Sequence, residues 1–252
     1  MADPLMLRRV QPGFEPEDAP PAFYFCSEDR IDLEAAGKIM GAGITGELAD
    51  SLFSGVLLPY FMHNANNLLV GVMGNLDLAG MFMPDAERVE PKLNAARTAT
   101  GSVVDYIRTV TSSITGNPGD SSRGSLAAPL NMIRAASGRS VMSESLGNLT
   151  GENALYGVDC SLLSTVVRGM GTWCLLCLGG NGELRGNTGS RCMELEWKRP
   201  ESAGRSHMPG GESAADVMAV TAGLAVSGGM TVFLEKWTDT EGKVSIVFKS
   251  GS

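Results

Sequence analysis

A histidine and an asparagine placed one helical turn apart are the residues of this chain best suited to do chemistry. The sequence holds only two histidines, His63 and His207, and Asn67 follows the first of them by four residues. In a helix that spacing puts both side chains on one face. A solvent-facing imidazole that is neutral near pH 7 can act as a nucleophile toward phosphorus. With so few histidines we predict no metal site.

The segment that carries His63 has the hydrophobic repeat of a helix packed along another helix. Apolar or small residues recur at alternating spacings of four and three, at positions 58, 62, 65, 69, 72, 76, 79 and 83. This repeat predicts a helix of roughly 30 residues. His63 follows the seam residue Met62, so it should lie at the rim of the apolar stripe, where it can reach solvent.

A second helix should follow after a break at Met83-Pro84-Asp85. Its seam runs from Val89 to Ile114, and Pro91 fits only if it lies in the first turn. The two helices form an antiparallel hairpin. A lone hairpin leaves one seam open to water, and pairing two hairpins into a four-helix bundle closes it. We therefore predict a homodimer.

The sequence predicts an α+β protein in three parts. Residues 1–30, rich in Pro, Asp and Glu, are expected to form a flexible N-terminal arm. The hairpin, with its dimeric four-helix bundle, occupies residues 31–118. Residues 125–252 mix helical runs at 162–178 and 214–227 with strand-like alternation, which indicates an α/β sandwich with helices on one face of a sheet.

Composition excludes several classes of partner. The net charge of −8 argues against general affinity for nucleic acid or anionic lipid, because phosphate groups are held by dense Lys and Arg. No window approaches the roughly 18 to 20 apolar residues of a membrane span. The N-terminus has no apolar stretch typical of a signal peptide. The odd number of cysteines, five, favours a reducing compartment, so the expected location is cytoplasmic.

The run that begins at His63 resembles the dimerisation and phosphoacceptor helix of two-component histidine kinases. The matching residues are His63, Asn67, Leu68, Leu69, Gly74, Asn75 and Leu76. The resemblance continues to about residue 248, where the later helices and strands look like those of the kinase catalytic domain. It implies a phosphoacceptor hairpin followed by a kinase-like α/β domain.

Departures from the kinase pattern fall at the positions that would bind ATP. Trp173 stands where the family has its Mg-binding asparagine. Residues 198–202 replace the adenine-reading aspartate, and few glycines remain at 210–223, where the phosphate loop belongs. The acidic residue that follows the family's histidine is Asn64 here. We therefore expect no ATP binding, no bound cofactor and no ATP-dependent kinase activity.

The combined pattern predicts a histidine phosphotransferase that relays phosphoryl groups between response-regulator receiver domains. His63 would be the nucleophile and Asn67 would orient the ring or the phosphoryl group. The receiver would bring its own Mg²⁺. A receiver docked near the histidine would contact Asn64 and three further residues of the same helix, Asn66, Val70 and Gly71.

Two other hypotheses remain at this point. One is a catalytically silent pseudo-histidine-kinase scaffold that binds and regulates a receiver or a kinase. The other is an active kinase with a divergent nucleotide site. Gly71 and Gly74 bear on partner binding, since each costs a helix roughly 1 kcal/mol relative to Ala. Close approach of a partner would explain them, and so would tight packing within the bundle.

Overall fold

The fold is a long helical hairpin whose base is packed into a mixed α/β unit. In the computed structural model the described residues are 7–15, 19–26, 43–115, 160–178, 183–188, 192–198, 211–237 and 241–247. The helices and strands within these ranges, in chain order, are β1 (Leu7–Arg9), β2 (Phe23–Phe25), α1 (Gly46–Met81), α2 (Ala86–Thr115), α3 (Cys160–Leu178), β3 (Glu183–Thr188), β4 (Cys192–Lys198), α4 (Gly211–Ser227), β5 (Thr231–Trp237) and β6 (Glu241–Val247).

Helices α1 and α2 are joined by a short turn and pack against each other. Thr45 caps α1, its hydroxyl accepting a hydrogen bond from the Leu48 amide at 3.4 Å, which satisfies one of the open donors of the first turn. After the turn, the carbonyl of Asp85 accepts from the amides of Arg88 and Val89 and so begins α2. The chain therefore reverses where the sequence predicts a break, at Met83-Pro84-Asp85.

Helix α1 begins at Gly46, well before the seam that starts at Leu58. The extra turns bury Ala49, Phe53 and Leu57, and the same buried side continues to Tyr60 and Phe61. The sequence did not predict these turns, because their buried residues pack against the α/β unit and their spacing does not continue the seam. Pro91 also differs from the prediction, since it lies in the second turn of α2. There it removes one helical hydrogen bond close to the helix end.

The rest of the described chain forms a mixed sheet with helices α3 and α4 packed on it. The strand order is β1-β2-β5-β6-β4-β3. Pairings from β5 through β6 and β4 to β3 are antiparallel, and β1, β2 and β5 are parallel. Helix α4 covers 211–227, so this range holds a helix where the kinase pattern would place its phosphate loop. The α/β class predicted for this part of the chain is confirmed.

The N-terminal segment differs from the flexible arm that its composition predicts. Strand β2 pairs with β5, and β1 pairs with β2, which extends the sheet at one edge. Phe14 stacks on Tyr24 at 4.8 Å between ring centroids and meets Phe233 edge-on at 5.5 Å. Strands of three residues are too short to show a two-residue period, so the sequence pattern could not reveal them.

The hairpin and the α/β unit share one hydrophobic core. Phe53 and Leu57 of α1 belong to the same buried cluster as Trp173 of α3. Helices α1, α3 and α4 meet at Gly169, where a Cβ would overlap the Phe53 ring and the Thr221 hydroxyl. Only glycine allows three helices to approach so closely there. The base of the hairpin is thus part of the α/β core.

An ion pair between a buried arginine and a partly exposed aspartate lies beside this junction. Arg168 Nη1 of α3 lies 3.0 Å from Asp50 Oδ1 of α1, and the Thr165 hydroxyl donates to Asp50 Oδ2 at 3.2 Å. The Arg168 side chain is 7% exposed and that of Asp50 34%. Burial raises the pKa of Asp50, and this outweighs the lowering by Arg168 and by the Thr165 hydroxyl. The pair therefore orients the helices more than it stabilises them.

Candidate functional site

His63 lies on the outer surface of α1, in direct contact with Asn67. Both side chains are exposed. Asn67 Nδ2 lies 3.2 Å from His63 Nε2. In the tautomer that carries its proton on Nδ1, Nε2 accepts this hydrogen bond from the amide. The structure thus brings the two predicted neighbours together, and Asn67 is placed to orient the imidazole.

The residues around His63 form a continuous exposed face, which we call the His63 face. Besides His63 and Asn67 it contains Asn66, Val70, which is 68% exposed, Gly71 and Gly74. Its members follow His63 at intervals that keep them on one side of the helix. Three of the four predicted partner contacts, Asn66, Val70 and Gly71, are therefore accessible on the same side as the imidazole.

Packing within the chain does not account for Gly71 and Gly74. A Cβ added to either residue would meet no atom within 4 Å, and neither residue has a positive φ. Alanine would fit both positions and would favour the helix. Contacts within one hairpin therefore do not explain the glycines, whereas close approach of a partner and packing within a dimeric bundle both remain open. The glycines leave the helix backbone accessible beside His63.

The His63 face is uncharged. Helix α1 contains no Asp, Glu, Lys or Arg from Ser51 to Leu76. The polar groups next to the imidazole are side-chain amides. A carboxylate near His63 would repel an incoming phosphoryl group, and an amide can donate a hydrogen bond to it. This neutral stretch was present in the sequence as a signal and is the simplest electrostatic feature of the site.

Asn64 differs from the other predicted contact residues in its orientation. Its side chain is half-buried, and it hydrogen-bonds the hydroxyl of Tyr106 on α2. The Tyr106 hydroxyl in turn donates to the carbonyl oxygen of Phe61 at 3.4 Å. Tyr106 was not predicted as a site residue. Its one signal in the sequence is that it is the single aromatic residue of α2.

A second exposed surface lies beside the His63 face. Five large apolar side chains, which lie in the predicted seam or next to it, are between 45% and 63% exposed. We call them the open seam: Leu58, Met62, Leu69, Met73 and Leu76. On α2, Leu93 and Ile107 are exposed as well, at 48% and 53%. Apolar side chains at this spacing normally pack against another helix. In the part of the chain that the structure describes, about half of the surface of each of these side chains stays exposed.

Position 173, which the sequence resemblance aligns with the Mg-binding asparagine of histidine kinases, holds a core residue. Trp173 of α3 is 0% exposed and Trp197 of β4 is 1% exposed. Their rings pack edge to face, with centroids 6.4 Å apart. A side chain at position 173 therefore points into the hydrophobic core. Residues 199–202, which the sequence resemblance aligns with the adenine-reading motif, lie outside the described ranges, as does His207.

The described residues contain no group of three or more His, Cys, Asp or Glu side chains that could hold a metal ion. In the same ranges no helix is both long enough and apolar enough to cross a membrane.

Comparisons with known proteins add little. No protein-family model and no curated protein matches this chain. A solved structure described as "1.7 Angstrom Structure of a Bacterial Phosphotransferase" is similar over 77% of this chain and 95% of its own, at 11% sequence identity and a TM-score of 0.31. A likeness this weak carries no argument about activity, so the functional proposal depends on the residues of the site.

Proposed function

We propose that this protein is a histidine phosphotransferase that passes phosphoryl groups between receiver domains through His63. The observation that carries the proposal is the exposed His63–Asn67 pair on an uncharged helix face. A histidine held by one hydrogen bond, with open space beside it, is suited to meet a phosphorylated aspartate on a partner. The resemblance of this segment to the phosphoacceptor helix of histidine kinases supports the same reaction.

In the proposed reaction, the lone pair of His63 Nε2 attacks the phosphorus of an aspartyl phosphate. The bond between phosphorus and the aspartate oxygen breaks, and the aspartate leaves as a carboxylate. His63 becomes a phosphohistidine that keeps its proton on Nδ1. As the phosphoryl group arrives, the Asn67 amide stops donating to Nε2 and donates instead to a phosphoryl oxygen. This hydrogen bond stabilises the developing negative charge. Transfer to a second receiver reverses these steps.

Asn67 thus has two roles in the proposal. Before transfer its hydrogen bond directs the Nε2 lone pair along the His63 face. During transfer it supplies a donor without adding charge. The acyl phosphate is already high in energy, and the partner's Mg²⁺ neutralises the phosphoryl oxygens. The acid that the kinases carry after their histidine is dispensable for this reaction, which agrees with Asn64 at that position.

We further propose that the protein neither binds ATP nor phosphorylates itself. Trp173 supports this part of the proposal, because a buried ring packed against Trp197 stands where the resemblance expects a polar Mg-binding residue. Helix α4 gives further support, since it is continuous over 211–227. A phosphate-binding loop needs consecutive accessible backbone amides, and the interior of a helix has none.

The proposal includes a homodimer that closes the open seam. A second copy presents the same apolar residues at the same spacing, so a twofold pairing of hairpins would bury both seams in a four-helix bundle. The absence of charge from Ser51 to Leu76 favours such burial. His63, one position after Met62, lies roughly 100° around the helix from that residue. It would stay accessible at the rim of the bundle.

The test is a transfer assay with the full-length protein. Phosphorylated receiver domains from the same genome are mixed with wild type, His63→Gln and His207→Gln in the presence of Mg²⁺. We expect acid-labile, alkali-stable phosphate on wild type and on His207→Gln, and none on His63→Gln. Receivers that bind the wild type without losing phosphate to it would instead support the pseudo-histidine-kinase scaffold.

A further inference from the structure

One tyrosine of α2, Tyr106, forms a hydrogen bond with the turn of α1 that carries His63. The Tyr106 hydroxyl donates to the Phe61 carbonyl oxygen at 3.4 Å and receives a hydrogen bond from the Asn64 side chain. Phe61 lies two residues before His63 and Asn64 one residue after it. A single side chain from the second helix therefore contacts the backbone before the histidine and the side chain after it.

This part of α1 is intrinsically a weak helix. Pro59 has no backbone N–H, so the carbonyl of Gly55 lacks its usual helical donor one turn before His63. Gly71 and Gly74 follow His63, and glycine lowers helix stability by roughly 1 kcal/mol at each position. Asparagine is also a poor helix former. A hydrogen-bonded contact from outside the helix would limit the motion that this composition permits.

The chemical state of Tyr106 suits a permanent donor. Burial raises the pKa of its hydroxyl, and this effect exceeds the lowering by the hydrogen bond from Asn64. The hydroxyl therefore keeps its proton at neutral pH and can donate to the Phe61 carbonyl. Phe61 itself is 3% exposed, so its backbone is held by packing as well.

We propose that Tyr106 and Asn64 are positioning residues that hold the His63 ring in its orientation on the surface of α1. Neither touches a substrate in this role, and both act through the backbone turn from Phe61 to Asn64. The consequence for phosphoryl transfer rests on the proposed function, whereas the consequence for ring orientation does not. At the position of the kinases' acidic residue, this chain thus has an amide that connects the two helices.

The test compares Tyr106→Phe with a matched control, Tyr24→Phe. Both tyrosines donate from the hydroxyl to a backbone carbonyl, Tyr24 to that of Pro20 at 3.1 Å in the N-terminal segment. Each substitution keeps the ring and removes one hydroxyl. The readouts are the imidazole signals in NMR spectra, the rate of phosphoryl transfer at saturating receiver, and the affinity for the receiver. Two histidines give two ring signals, which His63→Gln assigns.

We expect Tyr106→Phe to shift or broaden the His63 ring signal and to leave that of His207 unchanged. Transfer should slow by about threefold to tenfold, the effect of one lost positioning hydrogen bond, with receiver affinity unchanged. Tyr24→Phe should alter neither readout. Asn64→Ala should have the same effects on the ring signal and the transfer rate as Tyr106→Phe. The double variant should transfer phosphate little more slowly than either single variant, because both substitutions break the same contact.

Unchanged ring signals and transfer rates in Tyr106→Phe would overturn the inference. If the wild type accepts no phosphate from any receiver, the proposed function fails, and the NMR comparison alone decides whether Tyr106 positions the ring. If Tyr106→Phe does not fold, Asn64→Ala decides by the same measurements. Equal effects of Tyr24→Phe and Tyr106→Phe on the His63 signal would also contradict a local role.

Discussion

The contact between His63 and Asn67 is the smallest unit that the proposed chemistry requires. It joins the Nε2 atom of an exposed ring to the side-chain amide nitrogen of Asn67 at 3.2 Å. The properties of Asn67 can therefore be tested apart from those of the fold.

Replacing Asn67 with Ala should slow phosphoryl transfer by about tenfold or more, because it removes a donor to the phosphoryl oxygens. Asn75→Ala is the matched control. The Asn75 side chain donates to the Gly71 carbonyl at 2.8 Å two turns further along the same helix. Single-turnover kinetics at saturating receiver measure both variants. Equal rates for Asn67→Ala and wild type would show that Asn67 does not act in the transition state.

For individual residues, the sequence predicts contacts within one helix and misses contacts between two helices. The His63–Asn67 contact follows from the i,i+4 geometry of any regular helix. The contact from Tyr106 to Asn64 depends on how α2 is rotated against α1, and no spacing along one helix contains that information. The same limit applies to Asn64, whose inward orientation is set by the partner helix.

Between elements, the junction of α1 and α3 fixes how the hairpin leaves the α/β unit. Asp50→Ala should cost about 3 kcal/mol of folding free energy, because it removes the counter-charge of a buried guanidinium. Arg168→Met should cost clearly less, since Asp50 is 34% exposed and can be hydrated. Chemical denaturation measures both. A larger loss for Arg168→Met than for Asp50→Ala would contradict this account of the pair.

The elements themselves were predictable where their periodicity is long. The seams of α1 and α2 and the turn between them follow from alternating spacings of four and three. The first turns of α1 were missed because their apolar side faces a sheet-and-helix unit, which imposes no seam. Strands β1 and β2 have three residues each, too few for a pattern, and their place at the sheet edge depends on pairing with β5.

For the whole molecule, the open seam predicts association into a dimer. Leu69→Glu or Leu76→Glu should give a monomer, because a charge buried in the bundle has no partner there. Met81→Glu is the control, since Met81 is 75% exposed on the same helix and outside the seam. Light scattering after size-exclusion chromatography measures the mass. A monomeric wild type at concentrations used for transfer would refute the dimer.

The sequence predicts a hairpin domain at residues 31–118 and a separate α/β domain at residues 125–252. In the structure, side chains from both parts share one hydrophobic core. Phe53 of the hairpin and Trp173 of the α/β unit lie in one buried cluster. A sequence displays the apolar stripe of each segment, and which stripes meet depends on the assembled packing. The consequence is functional, because a hairpin built into the core holds its His63 face at a fixed place on the molecule.

Site-mapped phosphate in a single-turnover reaction tests the central proposal most directly. Wild type, His63→Gln and His207→Gln are each mixed with one phosphorylated receiver and Mg²⁺, quenched in alkali, and analysed by mass spectrometry of peptides. The proposal predicts phosphate on His63 in wild type and in His207→Gln, and loss of phosphate from the receiver over the same time. Phosphate on any other residue, or its persistence on a receiver that binds the protein, would contradict it.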